Sequence, residues 1–166
     1  MEKYDLIVIG AGILGISHAF HALRRGRTVA LVEKGQLPNY SSVQNFGQVV
    51  PSGMSAKYQH LGVRSLEFYN QIQNELDISI RNNGSLYLAS DNEEIRLIEE
   101  LHAINNENGY LSQLWTPDEC INYNNGLCKS YVKAGLFFPL ELSIDPLLGI
   151  NRMIKYCTKK YGLRYI

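Results

Sequence analysis

The sequence has no excess of either charge, no paired cysteines and no long apolar run, and each absence removes a class of function. Sixteen Lys and Arg balance 16 Asp and Glu across 166 residues, giving a formal net charge of +0 and a pI near 6.9. Proteins whose main partner is nucleic acid or an anionic membrane normally carry a basic excess, so neither partner is expected. The three cysteines, Cys120, Cys128 and Cys157, are an odd number without a CxxC pair or zinc-ligand spacing. Neither a disulfide framework nor a cysteine metal cluster is suggested, and buried or idle thiols in a reducing compartment are expected, with the cytoplasm as location. No stretch approaches the ~20 apolar residues of a membrane span. Met1-Glu2-Lys3 followed by an apolar run broken at Gly10 and Gly12 makes a poor signal peptide. His18 and His21 lie three apart without a third ligand nearby and read as surface or packing residues, so no metal is expected. No paired carboxylates and no Ser/His/Asp set stand out.

What is present is core-forming sequence. At 45% hydrophobic and 19% charged residues the chain is not disordered, and a chain of this length buries roughly 70% of its unfolded surface. Residues 4–9 (YDLIVI) form a continuous β-rich run of the kind buried on both faces of a parallel sheet. Apolar residues recur at Ile13, Ile16, Ala19, Phe20 and Leu23, one face of a helix stopped by Gly26, and residues 28–32 (TVALV) make a second buried strand. The three segments predict a βαβ unit.

Residues 35–55 are rich in Gly, Pro, Ser and Asn without periodicity, and a structureless stretch of that length inside a domain is usually functional. Tyr58, Leu61, Ser65, Phe68, Ile72 and Leu76 mark one face of a second helix. Asn82-Asn83-Gly84 is turn chemistry and residues 85–89 (SLYLA) a strand. Asp91 with Glu94 three residues on predicts a helix start, and Ile95, Ile98, Leu101 and Ile104 its buried face, closed by Gly109. Thr116-Pro117-Asp118-Glu119 is another start signal, residues 122–125 read as loop, and residues 136–138 as strand. Asp145-Pro146 opens a last helix on Leu147, Ile150, Ile154, Cys157 and Tyr161, ended by Gly162. Residues 163–166 are strand-like, and a strand fed by a crossover helix must dock in a sheet. The chain is expected to stop in mid-architecture, since strands run about 5–6 residues.

Gly10-Ala11-Gly12-Ile13-Leu14-Gly15 is a GxGxxG set between the first strand and the first helix. Gly10 permits the tight turn, Gly12 lets backbone approach a pyrophosphate, and Gly15 lets the helix pack closely on the strand. The N–H groups of Gly12, Ile13 and Leu14 are expected to face phosphates at the positive end of the helix. Glu33 closes the second strand, 18 residues after Gly15, where a carboxylate accepts from an adenosine ribose and repels a 2′-phosphate. An adenine dinucleotide is predicted and NADP disfavoured.

With this fingerprint at the front, followed by Lys34 and the loop Tyr40-Ser41-Ser42-Val43-Gln44-Asn45-Phe46-Gly47-Gln48-Val49-Val50-Pro51, the chain resembles the FAD-dependent oxidoreductases of the D-amino acid oxidase type, which include glycine and sarcosine oxidases. The likeness continues in Gly135-Leu136-Phe137-Phe138-Pro139 and Ser143-Ile144-Asp145-Pro146. Ser42-Val43-Gln44-Asn45-Phe46-Gly47-Gln48-Val49 is most similar to a bacterial subgroup associated with organophosphonate breakdown.

The resemblance implies an α/β chain: residues 1–80 with 143–166 as an incomplete Rossmann-like FAD-binding βαβ domain, and residues 84–142 as the start of an α+β substrate domain. FAD is the implied cofactor, bound by Gly10, Gly12, Ile13, Leu14, Gly15, Glu33 and Lys34 and by Ser41, Ser42, Asn45, Gly47 and Gln48, the last group crossing the pyrophosphate toward the isoalloxazine ring. The implied activity is oxidation of a small amine or amino acid, with hydride passing from the amine-bearing carbon to flavin N5. Members of the family are longer, so the chain is expected to be truncated and the substrate clamp to lie outside it. No catalytic residue and no oligomeric state are assigned. Two other readings stay open: an inert truncated chain that binds dinucleotide weakly, and a fragment of an NAD-linked dehydrogenase.

Overall fold

The computed structural model describes residues 2–166. Its elements run β1 (Leu6–Ile9), α1 (Ile13–Arg24), β2 (Val29–Val32), β3 (Gln48–Val49), a 3-10 turn (Pro51–Gly53), α2 (Ala56–Glu75), β4 (Ile80–Arg81), β5 (Ser85–Ala89), α3 (Asn92–Glu107), β6 (Gln113–Trp115), α4 (Pro117–Tyr123), β7 (Ala134–Phe138), β8 (Leu142–Ile144), α5 (Pro146–Tyr161) and β9 (Arg164–Tyr165). Two compact units result, one of the residues through Gln48 with Phe68–Ile80 and Ile144–Ile166, the other of Val49–Glu67 and Arg81–Ser143. Residues 49–67, counted with the first domain in the sequence reading, cluster with the second unit.

In the first unit the predicted βαβ motif forms, and β9 extends it into a parallel sheet of order β1-β2-β9 with Leu6 opposite Val29 and Leu31 opposite Tyr165. Gly162 at φ +71° ends α5 and turns the chain into β9, a left-handed conformation that glycine adopts without a Cβ penalty. Ile16, Ala19, Phe20 and Leu23 of α1 meet Ile150, Met153, Ile154 and Cys157 of α5 above Val29 and Leu31. Full burial of such a side chain is worth about 1.5–3 kcal/mol, which makes this cluster the main support of the unit. Phe20 is its centre, edge-on to Phe68 at 5.7 Å and Tyr161 at 6.1 Å. His21 packs on Phe68 of α2, and the His18 ring bonds the Leu14 carbonyl one turn back in its own helix.

The expectation that residues 4–9 are buried on both faces is corrected. Burial alternates along β1, and Ile7 and Ile9 are 62% and 87% exposed. β1 is an edge strand paired with β2 alone, and no described element covers that face of it. Leu147, placed on the buried face of α5, is exposed as well, because Gly149 and Met153 face inward instead.

The second unit is built on an antiparallel sheet of order β5-β7-β6, with Ser85 opposite Phe138, Ala89 opposite Ala134 and Trp115 opposite Gly135. Gly135 is required by proximity: a Cβ there would lie 2.4 Å from the Cys120 sulfur. The predicted caps form. Asp91 accepts from the Glu94 N–H at 2.9 Å, and Thr116 and Glu119 make a reciprocal capping box. Of the apolar stripe predicted for α3, Ile98 is buried but Ile104 is exposed, and Asn105 is buried in its place. The same exchange occurs in α2, where Tyr58 and Leu61 are exposed while Gln59 and Leu66 are buried. Gln59 Nε2 donates to Asn105 Oδ1 at 2.6 Å, so two amides that a hydropathy pattern assigns to solvent satisfy each other inside the unit.

β3, β4, β6 and β8, each of two or three residues, escape the sequence pattern, as does the Pro51–Gly53 turn within the region read as structureless. Asn122 and Tyr123 belong to α4 rather than to a loop. Glu141 is wholly buried. Its Oε1 accepts the Ser52 N–H at 2.9 Å and the Tyr110 hydroxyl at 3.5 Å, and its Oε2 has no partner among the described residues. Burial, reinforced by the Glu141 charge, pushes the Tyr110 phenol far above its ordinary range.

The thiols differ sharply in environment. Cys157 is buried and pushed up to about 12, and burial also raises Cys120. Cys128 is exposed, and the Ser130 hydroxyl with the N–H groups of Ser130 and Tyr131 lowers it by stabilising the thiolate. At pH 8, iodoacetamide should therefore modify Cys128 well before the other two. Peptide mass mapping over time checks the order, and early labelling of Cys157 would contradict its burial.

Candidate nucleotide-binding site

The glycine turn is organised by backbone geometry. Gly10 stands at φ +96° and donates its N–H to the Val32 carbonyl at 2.7 Å, which ties the end of β1 to the end of β2. Gly15 sits behind the turn, where a Cβ would fall 1.8 Å from the Gly10 carbonyl oxygen. The N-terminus of α1 is thus pressed against the turn as closely as backbone allows. Gly12 is the N-cap of α1, and a Cβ there would meet the Ser42 hydroxyl at 2.9 Å.

Glu33 reaches back across this turn, its Oε2 accepting the Ala11 N–H at 2.8 Å. A groove of about 440 Å³ opens beside them, lined by Ile9, Gly10, Gly12, Val32, Glu33, Lys34 and Tyr40. The Lys34 ammonium lies 4.2 Å from the centre of the Tyr40 ring. Contact with Tyr40, and in smaller measure the Glu33 charge, holds Lys34 above the usual lysine range. The carboxylate, the glycine turn, the cation and the aromatic ring therefore share one cleft.

Of the twelve residues singled out from sequence, Gly10, Gly12, Glu33 and Lys34 line the groove, and Gly15 supports it from behind. The expectation that the N–H groups of Gly12, Ile13 and Leu14 all stand open is corrected at Ile13, whose N–H donates to Ser42 Oγ at 3.1 Å. Leu14 projects a 75% exposed side chain. Ser41, Asn45, Gly47 and Gln48 do not line the groove. Asn45 builds its own loop, its Nδ2 donating to the Ser41 carbonyl at 2.8 Å and its Oδ1 accepting the Gly47 N–H at 2.7 Å. Gly47, at φ +66°, faces backbone of the same chain: a Cβ would lie 1.8 Å from the Ile144 carbonyl oxygen. Gln48 is exposed at the start of β3.

Ile9, Val32 and Tyr40 are the lining residues that sequence reading passed over. Ile9 and Val32 look like ordinary strand ends. Tyr40 carries the one available signal, an aromatic residue six positions after Lys34. Among the described residues no group of three or more His, Cys, Asp or Glu could hold a metal ion, and no helix is long and apolar enough to cross a membrane.

Residues 5–165 match the family model described as DAO, FAD dependent oxidoreductase. The crystal structure of L-proline dehydrogenase from P. horikoshii superposes with a TM-score of 0.89 at 26% identity, over 99% of this chain and 44% of that one. Glycine oxidase from Geobacillus kaustophilus shares the fold, with a TM-score of 0.89 at 19% identity over 100% of this chain and 47% of its own. In sequence, the ferredoxin–NADP reductase of Lactococcus lactis subsp. lactis (strain IL1403) is 30% identical over 145 residues, 87% of this chain and 40% of that protein. The chain spans less than half the length of each of these three proteins.

Proposed function

Because the chain belongs to the DAO family of FAD-dependent oxidoreductases, we propose that it supplies the adenylate-binding part of an enzyme that oxidises a small amine or amino acid. The observation that carries the cofactor assignment is the Glu33 carboxylate held beside the glycine turn in the groove of about 440 Å³. FAD, when bound, contributes the ring that takes up hydride, and the protein's part is orientation and tuning.

The residues present fit the adenylate end of that cofactor. One Glu33 oxygen is engaged by Ala11, and a carboxylate has a second oxygen with which to accept from a ribose diol. The same negative charge disfavours a 2′-phosphate, which sets FAD apart from an NADP-type ligand. Gly12 keeps the N-terminus of α1 free of a Cβ where a pyrophosphate must approach. Ser42 accepts from Ile13 and so keeps its own hydroxyl proton for donation to a phosphate oxygen. Ser41, Asn45, Gly47 and Gln48 shape the loop that leads away from this end. The amino acid oxidation is supported by family membership and by the fold shared with amino acid dehydrogenases and oxidases.

Titration of the purified protein with FAD, followed by flavin fluorescence and visible absorbance, tests the assignment. Glu33→Arg should weaken binding by about 1–3 kcal/mol, the cost of removing a charged acceptor from buried hydroxyls. Glu33→Gln keeps an acceptor for Ala11 and separates the support of the turn from the recognition of ribose. Unchanged flavin affinity in Glu33→Arg would sink the assignment of Glu33.

A further inference from the structure

We propose that Tyr40 is the platform on which the adenine ring of the cofactor stacks, and that it makes the site selective for an adenylate-bearing flavin over FMN. The proposal rests on the cofactor reading above and adds a recognition element to it.

Tyr40 is 55% exposed, yet its backbone is fixed: its carbonyl accepts the Val43 N–H at 2.8 Å and the Gln44 N–H at 3.1 Å. The ring is therefore presented to the groove by a closed turn rather than by a free strand of loop. The Lys34 ammonium, 4.2 Å from the ring centre, occupies one part of its π surface and draws electron density toward itself. A flat, electron-rich heterocycle is the group that best complements the ring so polarised. The chemistry around it is consistent with a nucleotide. Glu33 suits a diol, Gly12 and the end of α1 suit phosphates, and Ile9 and Val32 supply apolar surface for a purine. FMN lacks the adenylate and has nothing to place on Tyr40.

Base-on-aromatic stacking is worth enough that removing the ring should cost about tenfold in affinity. Calorimetric titration of the 166-residue chain with FAD, ADP and FMN separates the contributions, and ADP reports on the adenylate alone. Tyr40→Ala should lose about tenfold for both FAD and ADP while FMN affinity stays unchanged, and Tyr40→Phe, which keeps the ring, should stay within about twofold of the parent. Lys34→Met should show a smaller loss than Tyr40→Ala. Tyr40 is a surface residue, so far-UV circular dichroism should be the same for all these variants. Equal ADP affinity in the parent and in Tyr40→Ala overturns this proposal and leaves the FAD reading standing. A parent chain that binds neither ADP nor FAD overturns that reading and the proposal together.

Discussion

Gly15→Ala should destabilise the first unit by about 2–4 kcal/mol and abolish nucleotide binding at the same time. A Cβ at this position would sit 1.8 Å from the Gly10 carbonyl oxygen and 3.0 Å from its carbon. Both atoms are backbone, so no side chain can rotate away. Relief requires α1 to lift off the end of β1, which disturbs the contacts of Ile16 and Phe20 below and the groove above. Gly10→Ala is the informative comparison, because a Cβ there meets nothing within 4 Å and the only cost is φ at +96°. Gly53→Ala, with open space and no positive φ, should be nearly neutral. Thermal melts should follow the order Gly15, Gly10, Gly53, at roughly 2–4 °C per kcal/mol for a chain of this size. A Gly15→Ala protein that melted with the parent and bound FAD normally would show that the close approach at the turn does not exist.

Glu141→Leu should cost the second unit about 1–3 kcal/mol, whereas Glu141→Gln should cost less than about 1. The carboxylate is buried with one oxygen unpartnered among the described residues, so its removal relieves one penalty. Leucine nevertheless leaves the Ser52 N–H, paired at 2.9 Å, and the Tyr110 hydroxyl without their acceptor in the interior. The stranded donors outweigh the relieved oxygen because water cannot reach them to compensate. Glutamine keeps a carbonyl for Ser52 and puts an amide where the unpartnered oxygen stood. Urea unfolding curves for the two variants decide the matter. If leucine were as stable as glutamine, the hydrogen bond to the Pro51–Gly53 turn would contribute nothing.

The parts of this protein that sequence alone determined are those governed by local chemistry. The βαβ motif was legible because GxGxxG between two apolar runs, with an acidic residue after the second, has few other uses. Asp91, Thr116 and Asp145 were legible as caps because a capping side chain acts on backbone only three residues away. The same fingerprint with Glu33 predicted an adenine dinucleotide, the resemblance supplied the family and FAD, and of the residues expected to bind it Gly10, Gly12, Glu33 and Lys34 line the groove.

Tertiary structure decided whatever depends on a partner distant in sequence. Gln59 and Asn105 are inside because each is the other's hydrogen-bond partner across 46 residues, and hydropathy ranks them as surface. Ile7 and Ile9 are exposed because a strand's burial is set by what lies on each face of the sheet, which its own composition does not encode. β3, β4 and β8, of two or three residues each, are too short to carry a period. Gly47 looked like a residue that lets a cofactor come close, and the close neighbour turned out to be the carbonyl of Ile144, 97 positions later in the chain. Tyr40 joined the groove through a closed turn and a lysine above its ring. The division follows the range of the forces: dihedral preferences and caps act over a few residues and are written locally, whereas burial and close contact are properties of pairs that only the folded chain brings together.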